Sequence, residues 1–238
     1  ESVTSPSSPA WWHQMTTWGN FRHYGSTMTQ NRKPGEFEPV TDMIGGGFFD
    51  LPRGAWTDDT AMALCLAESL LECRGNDARD QITRFQRWQR EGYLSSTGRC
   101  IGITSAVARA LAAAQWSGKP YSGSHDPQRL DKEPVTRIAP AVLYFARDPQ
   151  EAIEQAAQVV RTTHQSPGIL DACRYVASLL LAGLNGNDKQ EILAAGQGTL
   201  TAVAARKEKR SAPAAKAPLA AIGAGSFRNK QPPGIHGG

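Results

Sequence analysis

From Thr57 onward, apolar residues recur at helical spacing, and no segment alternates convincingly with period two. Met62, Cys65, Leu66, Ser69, Leu70 and Cys73 share one face of a first helix, closed by Gly75-Asn76. Ile82, Phe85 and Trp88-Gln89 mark a second, ended by Gly92, and Ile103, Val107, Ala110, Leu111 and Ala114 mark a third. A short helix is predicted over residues 138–145. Asp148-Pro149-Gln150-Glu151 opens another that runs to about residue 162, with proline in its first turn. Ser166-Pro167 starts one carrying Ile169, Ala172, Cys173, Val176, Leu179 and Leu180, and Asp188 starts a last one. The fold class this predicts is all-α.

The flanks differ in character. Residues 1–33 hold Trp11, Trp12 and Trp18 among polar residues without a period, which predicts an irregular or disordered segment. Gly/Pro punctuation makes residues 34–56 loop. Residues 194–221 are rich in Ala, Lys and Pro without a sustained apolar stripe, and read as linker or disorder. The organisation expected is a helical domain over 34–195 and a basic Ala/Pro-rich tail over 196–238.

Composition changes the picture in one respect. The net charge of +4 includes +6 from residues 206–238, which leaves −2 for the rest. A high isoelectric point that belongs to a tail does not indicate a nucleic-acid-binding body. No apolar run approaches the roughly 18 residues of a membrane span, and Glu1-Ser2-Val3-Thr4-Ser5-Pro6 shows no secretory signal. The expectation is a cytoplasmic monomer without nucleic-acid or membrane partners. The four cysteines, Cys65, Cys73, Cys100 and Cys173, form no CxxC pair, so they read as buried thiols and not as a zinc site.

The densest chemistry lies in Trp56-Thr57-Asp58-Asp59-Thr60-Ala61-Met62. A hydroxyl and two carboxylates at a helix start suit a hard cation such as Mg²⁺, which takes oxygen ligands. The same residues also make an ordinary N-cap, bonding the first free N–H groups and complementing the helix dipole. Gly45-Gly46-Gly47 is most simply a flexible turn, with backbone approach to a phosphate as a secondary reading. His164, beside a helix start, reads on its own as a structural hydrogen-bonder.

Several of these motifs occur together in a known order. Pro39-Val40-Thr41-Asp42-Met43-Ile44-Gly45-Gly46-Gly47 and Trp56 through Leu70 resemble the ADP-ribosylglycohydrolase family. Tyr93-Leu94-Ser95-Ser96-Thr97-Gly98-Arg99-Cys100 looks like that family's segment before its third helix. Arg137-Ile138-Ala139-Pro140 resembles the end of its ribose-phosphate loop, and Thr163-His164-Gln165-Ser166-Pro167 its Thr-His helix start. A weaker echo is Gly225-Ser226-Phe227. The resemblance implies an orthogonal bundle of helices, here incomplete, around a cleft with two Mg²⁺ ions. It implies hydrolysis of the bond joining ADP-ribose to a protein side chain or related acceptor. By position, Thr57, Asp58 and Asp59 match metal ligands, with Asp58 and Asp59 as the catalytic carboxylates. His164, Gly46 and Gly47 then face substrate. An ADP-ribosylated protein or an ADP-ribose-containing small molecule is the implied partner.

The chain also departs from the family pattern. Where the family carries a catalytic Glu near its start, Phe21 to Gln30 hold no carboxylate. Its Phe-Asp-Ile-Gly is here Ile101-Gly102-Ile103-Thr104, without the acid, and its Gly-rich phosphate loop is Asp131-Lys132-Glu133-Pro134-Val135-Thr136. The family's second metal group, Asp-x-Asp-Ser/Thr, has no counterpart, and no acid follows Glu208. The expectation is a member shortened at both ends, its flanks frame-altered, with one or no Mg²⁺ and weak or absent turnover. Two further readings stand beside it: a non-catalytic helical protein that binds ADP-ribose or a partner, and a helical domain whose Thr57-Asp58-Asp59 is only a cap.

Overall fold

The computed structural model describes residues 45–129 and 131–208. These are helical throughout apart from loops and two isolated bridges, so the all-α class holds among the described residues. In chain order the helices are α1 (Asp58–Glu72), α2 (Ala78–Glu91), α3 (Ser105–Ser117), α4 (Glu133–Thr136), α5 (Ala139–Tyr144), α6 (Pro149–Val159), α7 (Pro167–Leu184) and α8 (Lys189–Glu208). A 3-10 turn, Val160–Thr162, extends α6. The segments expected over 1–33 and from 209 onward lie outside the described residues.

The predicted punctuation works as side-chain capping. Asp148 Oδ1 accepts from the N–H groups of Gln150 and Glu151 at 3.0 and 3.1 Å, and Pro149 occupies the first turn of α6. Thr104 caps α3, which Gly118 ends in the left-handed region at φ +66°. At α8 the cap is reciprocal. Asp188 Oδ1 accepts from Gln190 and Glu191, while Glu191 Oε2 accepts from the Asp188 N–H at 2.9 Å.

The described chain divides into two compact units. The first joins residues 45–62 with Arg87–Ile103. Its small apolar centre is Leu51, Ala55 and Ile101. It is held by a two-way clasp in which Ser96 Oγ accepts from the Trp56 N–H and donates to the Trp56 carbonyl, both at 2.8 Å. The indole Nε1 of Trp56 donates to Leu94 O at 3.1 Å.

The second unit comprises Ala63–Gln86 and the described residues of 104–208. Its core is built on α7, whose Ile169, Cys173, Ala177 and Leu181 recur at helical spacing and meet Leu66 and Leu70 of α1, Val142 of α5 and Ala156 of α6. By length and mean hydropathy, 1.3, α7 is apolar enough to cross a membrane. That corrects the expectation that no run reaches that length. The apolar character has a local cause, because this helix is the centre of the core. It also carries Asp171, whose Oδ1 accepts from Arg174 at 3.2 Å.

Two further expectations need correction. Residues 196–208 continue α8 where a linker was predicted. Gly196 has no room for a side chain: a Cβ there would lie 2.8 Å from Leu179 Cδ2 and 3.2 Å from Tyr175 Cδ2. Gly196 lets α8 approach α7 closely, and a contact made by lacking a side chain is invisible to a search for large apolar residues. Among the thiols, Cys65 and Cys173 are buried, but Cys73 is exposed.

Candidate active site

The first unit holds Thr57, Asp58 and Asp59. The Trp56–Ser96 clasp fixes the backbone immediately before them, and the Thr57 carbonyl accepts from the Ala61 N–H at 3.0 Å, opening α1. The cap reading and the ligand reading therefore describe the same three residues. Thr57 and Asp58 are buried, 7% and 6% exposed, which is unusual for an acid serving only as a cap. Asp59 is half-buried.

Asp58 owes its place to Gly102. That glycine has φ +84°, and a Cβ on it would run into the Asp58 carboxylate, with Cγ at 2.9 Å and Thr57 Cβ at 3.4 Å. The Asp58 carboxyl thus fills the space that a side chain at position 102 would claim. Burial, and after it the Asp58 charge, pushes the neighbouring Cys100 thiol up to about 11, so it stays protonated near neutral pH.

Among the described residues, no group of three or more His, Cys, Asp and Glu converges. One hydroxyl and two carboxylates suffice for a single Mg²⁺, which keeps several waters and takes only one or two carboxylates from a protein. A second ion would need donors that these residues do not provide.

The glycine run forms a tight turn. Gly46 and Leu51 exchange both backbone bonds, at 2.7 and 2.9 Å, and Gly46 and Gly47 have φ of +110° and +76°. The Gly46 N–H is therefore spent on Leu51. Phe48 and Phe49, at the tip, are exposed.

His164 belongs to the second unit, where it borders a cavity of about 240 Å³. Thr163, His164 and Ser166 form its buried floor. The small side chains of Ala106, Ala110 and Ala113, one face of α3, leave the space open. Arg109 and Arg129 stand exposed beside it. The floor is tied down from both sides. Gln165 donates its N–H to Ser124 O at 2.9 Å and its side-chain amide to Gly123 O at 3.0 Å. A Cβ on Gly123 would collide with the Thr163–His164 backbone, His164 Cα lying 2.6 Å from it. From below, buried Arg137 donates to Thr163 Oγ1 and lies over the Phe85 ring at 5.6 Å.

Burial, then the charges of Arg137 and Arg129, push His164 down to about 3, so the ring is neutral. Its Nδ1 lies 2.9 Å from Thr163 Oγ1. Its Nε2 is buried without a hydrogen bond, 3.7 Å from Asp131 Oδ2, which also has none.

Comparison with known proteins decides what this assembly descends from. The pattern of the ADP-ribosylglycohydrolase family matches residues 16–232. The chain belongs to that family. It is similar to the ADP-ribosylarginine hydrolase Tri1 of Pseudomonas putida (strain GB-1), 34% identical over 161 residues that cover 68% of this chain and 43% of the relative. The Tri1 hydrolase of Serratia proteamaculans (strain 568) is 32% identical over 152 residues, 64% of this chain and 42% of the relative. The chain thus spans less than half the length of these curated relatives. Among solved structures it resembles an ADP-ribosylglycohydrolase-related protein complex, with TM-score 0.61 and 35% identity, over 77% of this chain and 58% of that one.

In this family member, sequence reasoning found Thr57, Asp58, Asp59 and His164 as candidates but missed Gly123 and the pairing of Asp131 with His164. Asp131 opens the segment that stands in place of the family's Gly-rich phosphate loop. The signal available was its departure from a glycine-rich pattern, and only the fold reveals what it faces.

Proposed function

We propose that this chain carries the substrate-binding and first metal-binding elements of an ADP-ribosyl hydrolase that acts on ADP-ribosylated arginine. The observation that carries the reading is the buried Thr57-Asp58 pair heading α1, in a chain of the ADP-ribosylglycohydrolase family that is similar to two ADP-ribosylarginine hydrolases. Thr57, Asp58 and Asp59 would hold one Mg²⁺. Bound there, the ion would lower the pKa of a bound water and orient sugar hydroxyls. The two carboxylates supply negative potential where the ribose carbon gains positive charge as its bond to the acceptor breaks. In the first unit Gly102 keeps Asp58 in place; in the second, the cavity at His164 takes a sugar-containing ligand such as ADP-ribose.

Hydrolysis by these residues alone is weak or absent. Gly102 places no carboxylate beside Asp58, and among the described residues no group of three or more His, Cys, Asp and Glu converges. Gly102 is also the observation that favours a second reading, an ADP-ribose-binding protein without turnover. Two measurements separate the readings: Mg²⁺ titration by calorimetry, and release of ADP-ribose from an ADP-ribosylated arginine substrate. Mg²⁺ binding that Asp58→Ala abolishes supports the site. Robust Mg²⁺-dependent release would overturn the claim of weak turnover, and absence of any Mg²⁺ affinity would overturn the metal assignment.

A further inference from the structure

The hydrogen-bond chain beneath the cavity fixes which nitrogen of His164 carries its proton. Arg137 has only donors to offer, so Thr163 Oγ1 accepts from it and must give its own hydrogen elsewhere. Two acceptors are in reach, Val160 O at 3.4 Å and His164 Nδ1 at 2.9 Å. Val160 O already accepts from the N–H groups of Thr163 and His164, at 3.1 and 2.9 Å. The hydroxyl therefore donates to Nδ1. The neutral ring then bears its hydrogen on Nε2, facing Asp131 Oδ2 across 3.7 Å, too far for a direct hydrogen bond.

A buried donor and a buried acceptor without partners thus stand side by side at the cavity. An atom that satisfies both must accept from Nε2–H and donate to the carboxylate, and one oxygen can lie within hydrogen-bond distance of each. A hydroxyl does this. A phosphate oxygen does not, because it has no hydrogen to give and Asp131 repels it. The cavity, at about 240 Å³, is far larger than the roughly 30 Å³ share of one water. It is below the roughly 300–1,000 Å³ usual for whole drug-sized ligands.

We propose that Asp131 and His164 together read a sugar hydroxyl, and that Asp131 makes this position selective for the ribose part of a ligand over its phosphates. The assignment deepens the proposed function and rests on it for the identity of the sugar. Arg109 and Arg129 remain for the charged remainder of the ligand.

The test uses the full chain and two calorimetric titrants, ADP-ribose and inorganic pyrophosphate, against wild type, Asp131→Ala and Asp131→Asn. Asp131 lies outside any helix with its side chain 34% exposed, and thermal melts check that the variants fold. Asp131→Ala is expected to weaken ADP-ribose binding about tenfold, the worth of a hydrogen bond to a charged group. Asp131→Asn, which keeps an acceptor oxygen, retains most of it. Pyrophosphate moves the opposite way and binds severalfold tighter to both variants. If Asp131→Ala tightens both titrants, the cavity is an anion site and the proposal is wrong. Unchanged ADP-ribose affinity in Asp131→Ala would mean that an ordered water alone bridges the pair, which also overturns it.

If wild type shows no affinity for ADP-ribose, the functional reading fails by itself. D-ribose at millimolar concentration, followed by the NMR shift of the His164 Nε2–H, then judges the hydroxyl assignment separately. A shift lost in Asp131→Ala upholds the assignment, and the absence of any shift removes it.

Discussion

Gly102 and Asp58 share one small volume: the glycine, at φ +84°, leaves space that the Asp58 carboxyl occupies, with Cγ 2.9 Å from where a Cβ would stand. Gly102→Ala therefore meets two penalties, a left-handed backbone that L side chains rarely adopt and a collision with a buried carboxylate. The expected cost is about 2–3 kcal/mol in urea unfolding. Mg²⁺ affinity should fall at least tenfold even where the variant folds, because Asp58 must move. An unchanged Mg²⁺ isotherm in a folded Gly102→Ala would show that Asp58 is not a ligand.

The buried neutral ring of His164 links stability to pH. The unfolded chain protonates His164 near pH 6.5, whereas the folded ring resists until about pH 3. Below pH 6.5 the unfolded state thus binds the extra proton, and stability drops as pH falls from 6.5 towards 3, by about 1.4 kcal/mol per unit for this one group. Above pH 6.5 the contribution is constant. Urea unfolding at pH 7.5 and 5.5 should show a steeper loss in wild type than in His164→Gln. Equal losses in the two proteins would contradict a neutral buried ring.

Arg84 is 9% exposed at its side chain and gathers three acids: Glu68, Glu72 at 2.6 Å and Asp80 at 2.6 Å. Burial would raise the Asp80 carboxyl, but hydrogen bonds and charge, chiefly from Arg84, hold it below the ordinary carboxylate range. Arg84→Met leaves these acids around an apolar stem and is expected to cost about 3 kcal/mol. A group with a lowered acid pKa stabilises above its unfolded value and loses that contribution as pH falls through its folded one. The gap between wild type and Arg84→Met should therefore narrow below about pH 4. Chemical unfolding at pH 3 and pH 7 checks both the size and the sign.

Gly123→Ala places a methyl group against the backbone of Thr163 and His164. Because the collision is with backbone on a segment bonded through Gln165 and Ser124, rotamer changes cannot relieve it. A loss of about 2–3 kcal/mol is expected, with a displaced His164 floor. Amide exchange at His164 and Gln165 should quicken; unaltered exchange with wild-type stability would mean the loop yields freely.

Helix positions were legible because α6, α7 and α8 carry start signals that act locally: Asp148, Ser166 and Asp188 each cap the helix they precede. Asp58 and His164 stand out as candidates through ordered family motifs. The end of α8 was not, since Gly196 packs by lacking a side chain. The Asp131–His164 pair was hidden for a different reason. It joins residues 33 positions apart whose meaning depends on a tautomer set by Arg137 and Thr163, and no local pattern encodes a proton's location.

The Trp56–Ser96 clasp closes a loop of 40 residues just before the acids. Such a closure forms only when both ends exist, and its entropy must be offset by contacts made on closing. During synthesis, α1 can coil as soon as it leaves the ribosome, but Thr57 and Asp58 acquire their final setting only after Ser96 and Gly102 have emerged. A nascent chain arrested before that point would carry the helix without the burial of its leading hydroxyl and acid.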